Sequence, residues 1–222
     1  MATTAEVRRC TRLRGEPMRG RAAPERDSMS GTTNEGKEFM HYLSHYESPL
    51  GAMTMAGDGE HLTGLWFDGQ KYDRSTIDDD AVLQPRLPVF TQTAQWLDAY
   101  FEGADPGFTP PISIEGSDFR KMVTSIMLSI PFGATSTYAR IAAEVARRTG
   151  RKQMSAQAVG GAVGRNPIVL IVPCHRVLAS DGGLRGYAGG VDRKERLLEM
   201  EGVNMAGLPT PPTADDGGGT RE

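Results

Sequence analysis

The 222-residue sequence predicts an α+β fold, with an antiparallel sheet in its first half and mainly helices, among them a helix-turn-helix, in its second. Three observations carry this. Short alternating runs broken by Gly and Asp-Gly pairs fill residues 42–69. From residue 88 onward, apolar residues recur at helical spacing. The charge is split: residues 38–115 hold 3 Lys or Arg against 13 Asp or Glu, whereas residues 116–203 hold 13 against 7. These shifts divide the chain into a polar arm (1–37), a sheet domain (38–112), a second domain (113–203) and a polar tail (204–222), with Pro110-Pro111 as the linker.

The arm is Arg- and Gly-rich and without periodicity, and reads as disordered. Tyr42, Ser44 and Tyr46, then Ala52 to Ala56, form short strands broken by Ser48-Pro49-Leu50-Gly51. Asp58-Gly59 signals a hairpin before Leu62 to Phe67, and Asp68-Gly69 closes that strand. A helix follows over 88–102, with Phe90, Ala94, Leu97 and Phe101 on one face and Gly103 past its end.

In the second half, Phe119, Met122, Val123, Ile126 and Ile130 predict a helix over 117–129, ended by Pro131-Phe132-Gly133. Tyr138, Ile141, Ala142 and Val145 predict another over 137–148, followed by the basic turn Gly150-Arg151-Lys152. A helix of small side chains, Ser155 to Gly164, is capped by Ser155. Its interior glycines, Gly160 and Gly161, cost about 1 kcal/mol each relative to Ala. Close approach of another backbone, protein or nucleic acid, accounts for such a choice. The pair, flanked by Arg151, Lys152 and Arg165, reads as a helix-turn-helix or as a tightly packed helix pair with no nucleic-acid role. The last helix takes Asp192 as N-cap with Glu195 three residues later, buries Leu197, Leu198 and Met200, and ends before Gly202. Glu201 in its final turn opposes the helix dipole by about 0.3–1 kcal/mol, which fits either a task such as orienting a histidine or an exposed glutamate at a frayed helix end.

Several classes are excluded. No stretch approaches a membrane span, and the N-terminus lacks the apolar core of a secretory signal. Of two cysteines, Cys10 lies in the polar arm, so a structural disulfide is not expected and a reducing, cytoplasmic setting fits. The basic second half fits a polyanion that meets only one half of the molecule; two solvated surfaces of opposite sign are the alternative.

The chemistry concentrates after Asn166-Pro167. Ile168 to Val172 reads as a buried strand that delivers Pro173-Cys174-His175-Arg176 at its end. A lone cysteine among apolar residues is ordinarily inert. Here His175 supplies a base and Arg176 a positive charge, both of which favour the thiolate and make Cys174 a candidate nucleophile. The glycine-rich run Leu184 to Gly190 is suited to lining a pocket.

Asn166-Pro167, Pro173-Cys174-His175-Arg176-Val177, Gly186-Tyr187-Ala188-Gly189-Gly190 and Lys194 to Gly202 together resemble the O6-alkylguanine-DNA alkyltransferases over roughly residues 117–203. The first half resembles that family's ribonuclease-H-like sheet domain, through Ser48-Pro49-Leu50-Gly51 and Gly64-Leu65-Trp66-Phe67. The resemblance implies a short active-site strand and irreversible transfer of a methyl or larger alkyl group, after base flipping, from O6-alkylguanine or O4-alkylthymine in duplex DNA to Cys174. It makes His175 the group that takes the thiol proton through a water, Glu201 its carboxylate partner, and Tyr138 a hydrogen-bond donor to the target base. It places Asn166 at the hinge after the recognition helix, and Tyr187, Val177, Ala188 and Gly189 at the base pocket. Ala156, Gln157, Gly160, Arg165, Asn166, Arg151 and Lys152 fall on the DNA-binding side. Gln157 stands where the family usually has an arginine that fills the space of the extruded base. Arg176 looks like a structural partner. The resemblance implies a monomer with no metal or organic cofactor, and two cysteines with scattered histidines offer no zinc pattern. Two rivals remain: a damage-sensing protein of the alkyltransferase-like kind that transfers nothing, against which Cys174 itself argues, and a Cys-His hydrolase, for which no oxyanion-hole signature is present.

Overall fold

The computed structural model describes residues 40–206, Asp79 excepted. The expected disordered arm, and the tail from residue 207, lie outside the described residues.

Three strands, β1 (Tyr42–Ser48), β2 (Gly51–Gly57) and β3 (Leu62–Phe67), form an antiparallel meander. A two-residue strand, β4 (Val82–Leu83), adds in parallel to the outer edge of β1, which the sequence did not signal. The turns follow from side-chain chemistry. The Ser48 hydroxyl accepts from Leu50 N and donates to Gly51 O, and Asp58 Oδ1 accepts from the amides of Glu60 and His61. Gly64 is obligatory within β3, because a Cβ there would lie 1.8 Å from the Trp66 ring.

Helix α1 (Pro88–Phe101) begins with proline at its first position, where no amide partner is lost. Its buried residues are Val89, Phe90, Thr93, Trp96, Leu97 and Tyr100, while the expected Ala94 and Phe101 are only half-buried. The helix is thus rotated toward Tyr100, whose ring stacks on Trp96 at 5.1 Å between centroids.

The second half contains α2 (Asp118–Leu128), β5 (Ser136–Thr137), α3 (Tyr138–Thr149) and α4 (Ala156–Val163). Ser117, Thr137 and Ser155 each accept an amide hydrogen bond at the helix N-termini, and Gly150 ends α3 in the left-handed conformation. A 3₁₀ turn (Cys174–Arg176), β6 (Val177–Leu178) parallel to β5, and α5 (Val191–Met200) complete the fold.

Two expectations are corrected here. The run Ile168 to Val172 is not a regular strand. Ile168 makes one bridge to Leu65, and then the chain turns with Leu170 at φ 67°. The Asn166 amide group donates to both Ile168 O and Val172 O, drawing the two ends of the run together and folding it. The apolar side chains stay buried, but the strand pairing falls to the two residues after the 3₁₀ turn, so the short strand follows the cysteine. At α5 the N-cap is Gly190 at φ 94°, with no side-chain cap, rather than Asp192.

One continuous core joins the halves, running from Met53 and Phe67 through Leu97 to Val145, Val172 and Leu197. The seam is made by backbone: Leu65 N donates to Pro167 O and Val169 N to Leu65 O, at 2.8 and 3.0 Å. The segment leading to Cys174 is therefore pinned to the edge of the sheet.

Candidate active site

Cys174 opens the 3₁₀ turn and is 4% exposed. The Asn166 amide nitrogen donates to its sulfur at 3.1 Å, while Asn166 Oδ1 accepts from Ile168 N. Asn166 was grouped with the DNA-facing residues, but it is buried and both ends of its side chain bond within the protein. Burial pushes the Cys174 thiol up; the Asn166 hydrogen bond and the nearby Lys194 charge pull it back in part. The thiol therefore needs a base.

His175 is fully buried, with Nε2 at 2.6 Å from Glu201 Oε1. Burial holds its pKa below the usual histidine value, against the pull of Glu201. A neutral ring donates Nε2–H to Glu201 and leaves Nδ1 as the basic atom. Nδ1 is buried and has no hydrogen-bond partner among the described residues.

Five donor groups converge on the Glu201 carboxylate. They are His175 Nε2, Tyr100 OH at 2.7 Å, Arg176 Nε and Nη2 at 2.8 and 3.1 Å, and Gly133 N at 3.2 Å. Burial raises its pKa, but the hydrogen bonds and charges of His175 and Arg176 outweigh this and hold it at about 2. Arg176 also donates to Ile130 O, so its guanidinium ties Glu201 to the residue just after α2 and Ser129.

Tyr138, the first residue of α3, donates its hydroxyl to Arg185 O at 2.9 Å. Burial and the nearby Cys174 raise its pKa to about 12, so it stays a hydrogen-bond donor at neutral pH. Gly186, at φ 75°, allows this approach, since a Cβ would stand 2.7 Å from the hydroxyl. Lys194 Nζ donates to the same Arg185 carbonyl at 3.1 Å and to Val177 O at 2.5 Å. It is fully buried, and among the described residues no carboxylate lies within ion-pair distance of it; burial lowers its pKa to about 8, with Cys174 acting in the opposite sense. Tyr187 packs edge-on against His175, its centroid 6.4 Å away, with its hydroxyl buried and unpartnered among the described residues. Val177 is buried beneath the site, and Ala188 and Gly189 continue the Tyr187 loop.

A cleft of about 410 Å³ opens beside this cluster, lined by Gly160, Gly161, Gly164 and Arg165 on one side and Gly186, Tyr187 and Ala188 on the other. Arg151, Lys152, Ala156, Gln157 and Arg165 are exposed along the outer side of the helix pair. Packing among the described residues does not explain Gly160 and Gly161. A Cβ at Gly161 would meet nothing within 4 Å, and one at Gly160 only Tyr138 Cδ1 at 3.9 Å. Among the described residues, no protein backbone approaches Gly160 or Gly161 closely.

Sequence reasoning missed Tyr100 and Lys194. Both carried a signal. Lys194, Leu197, Leu198 and Glu201 are spaced i, i+3, i+4, i+7, so Lys194 shares the buried stripe of α5; Tyr100 follows Trp96 and Leu97 at the same spacing on α1.

The fold thus sets a buried thiol and an adjacent neutral imidazole behind a helix-turn-helix and beside an open cleft. The chain belongs to the 6-O-methylguanine DNA methyltransferase family, whose ribonuclease-like domain matches residues 41–114 and whose DNA binding domain matches residues 118–203. The methylated-DNA–protein-cysteine methyltransferase of Mycobacterium bovis is 39% identical over 163 residues, covering 73% of this chain and 93% of the relative. That of Methanosarcina barkeri is 41% identical over 165 residues, covering 74% and 99%. The crystal structure of the Mycobacterium tuberculosis O6-methylguanine methyltransferase has a TM-score of 0.64 at 37% identity, covering 78% of this chain and 97% of that one. The same organism's OGT in complex with DNA gives 0.63 at 38%, covering 72% and 92%.

Proposed function

We propose that the protein repairs DNA by direct reversal, moving an alkyl group from O6-alkylguanine in duplex DNA, and in second place from O4-alkylthymine, onto Cys174. The observation that carries this reading is the buried Cys174 thiol beside a neutral His175 whose free Nδ1 is backed by an ionised Glu201. Kinship with proteins named for methyl transfer from DNA to a protein cysteine supports the same step.

The alkyl carbon is shielded in a stacked duplex, so the base is extruded at a cost of a few kcal/mol. The outer side of α4, free of bulky side chains, enters the groove; Arg151, Lys152 and Arg165 neutralise phosphates; Gln157 fills the space left in the stack. The base then lies between the α4 glycines and the Tyr187 loop. The thiol proton passes through a water to His175 Nδ1, and Glu201 stabilises the imidazolium that forms. The sulfur attacks the alkyl carbon in line, forming a C–S bond as the C–O6 bond breaks. Tyr138 donates a hydrogen bond to the leaving base as charge develops on it, and the Lys194 ammonium steadies the thiolate before transfer. The base takes up one proton from solvent to leave as guanine, while His175 returns the thiol proton to solvent. The thioether has no route back, so each molecule acts once, as a monomer, in the compartment that holds the DNA.

Incubation with a duplex containing one O6-methylguanine is expected to add one methyl to the intact mass, mapped to Cys174 and not to Cys10. Repaired DNA with unmodified protein, or tight duplex binding with no transfer, would overturn the reading; the second outcome is what a damage sensor gives.

A further inference from the structure

The acidic half holds only three Lys or Arg residues, and two of them, Lys71 and Arg74, lie in one loop after β3. That loop does not face away from the helical half. Lys71 N donates to Ala188 O at 3.1 Å, tying it to the Tyr187 loop, and Lys71 and Tyr72 complete the wall of the 410 Å³ cleft opposite Gly160 and Gly161. Tyr72 is 40% exposed, and its ring is flanked by Lys71 Nζ at 5.0 Å and Arg165 Cζ at 5.9 Å from its centroid. Tyr72 and Arg74 sit at φ 64° and 52°, a conformation costly for residues with a Cβ. The loop is held there by several bonds: Arg74 Nη2 to Thr54 Oγ1, Gly69 N to Asp73 Oδ2, and Phe67 N to Gln70 Oε1. Its two carboxylates nearest Arg74, Asp68 and Asp73, lie 3.6 and 3.8 Å from that guanidinium, so they offset Arg74 and leave Lys71 and Arg165 to face the cleft. A strained loop, braced on one side and presenting an aromatic ring between two cations at the mouth of a cleft, is suited to an anionic ligand with a flat or apolar part.

We propose that Lys71, Tyr72 and Arg165 form a clamp, drawn from both halves of the protein, on the phosphate and sugar of the extruded nucleotide. The two cations take the phosphate and the Tyr72 ring packs against the sugar, so the sheet half contributes to DNA binding despite its net negative charge. This rests on the alkyl-transfer reading above.

The test compares Lys71→Ala and Tyr72→Gly with the parent protein on a duplex carrying O6-methylguanine and on the free base O6-benzylguanine, which has no phosphate. Lys71→Ala is expected to lower the duplex rate about five- to tenfold, and to make the salt dependence of duplex affinity shallower by about one unit, with free-base transfer unchanged. Tyr72→Gly relieves the backbone strain, so it should raise the thermal midpoint while lowering the duplex rate, a combination that a purely structural residue does not give. Unchanged duplex rate and salt slope in both variants, or an equal fall on the free base, would overturn the clamp. If the parent protein transfers nothing to Cys174, the functional reading fails on its own, and duplex affinity measured by fluorescence anisotropy still decides the clamp.

Discussion

Replacing Glu201 with Gln removes one charge from a place where five donor groups meet. The amide keeps the size of the carboxylate but turns one oxygen into a donor, which must then face another donor. Arg176, 8% exposed, keeps Ile130 O and one amide oxygen as acceptors but loses its buried counter-charge. Leaving one member of a buried ion pair uncompensated costs about 3–5 kcal/mol. At about 2–4 °C per kcal/mol for a domain of this size, the thermal midpoint should fall by about 6–20 °C. The pH dependence sharpens the test. The carboxyl titrates at about 2 in the fold against 4.5 for the free group, so its stabilisation is complete above about pH 4.5 and is lost as pH falls toward 2. The gap between parent and Glu201→Gln should therefore narrow across that window in urea titrations. Alkyl transfer at pH 7 should slow by about 100-fold or more, because the imidazolium loses its counter-charge. A midpoint shift under about 3 °C, or a gap that stays constant from pH 4.5 to 3, would refute the ionised carboxylate at the centre of this site.

Three further outcomes follow from the same geometry. Gly161→Ala should stabilise α4 by about 1 kcal/mol, since its Cβ meets nothing, yet slow transfer from duplex while leaving the free base unaffected; equal rates on duplex would remove α4 from the DNA interface. Asn166→Ala should cost about 1–3 kcal/mol and push the Cys174 thiol further up, read as a shift to higher pH in its reaction with iodoacetamide in a Cys10→Ser background. Lys194→Met should slow that reaction below about pH 8 and converge on the parent above it, where the parent lysine loses its own charge; curves that stay parallel would show that the ammonium does not act on the sulfur.

Much of this molecule is legible in its sequence because local chemistry decides it. The β1–β2–β3 meander follows from Ser48-Pro49 and Asp58-Gly59, and α2, α3 and α4 fall within a residue or two of their apolar spacing because Ser117, Thr137 and Ser155 cap them. Long-range partners decide what was not legible. Phe90 and Leu97 fit two neighbouring stripes of α1, and the one the fold adopts buries Tyr100 with its hydroxyl on Glu201. Ile168 to Val172 has strand composition, but the Asn166 side chain competes for its carbonyls and wins. A lysine is read as solvated by default, yet two carbonyls from Val177 and Arg185 receive Lys194 inside the fold. At the site, His175 meets Glu201 across 26 residues of chain, and Asn166 turns inward to the Cys174 sulfur.

The bond from Tyr100 to Glu201 spans 101 residues of chain and crosses from the sheet half to the last helix. No fragment beginning after the linker can supply that hydroxyl, so chimeras made by exchanging the two halves between relatives must keep α1 and α5 as a matched pair. The same bond makes competence cooperative: the histidine acquires its full set of supports only once the halves have docked. A partly folded chain thus carries Cys174 beside a histidine that is not yet held in place.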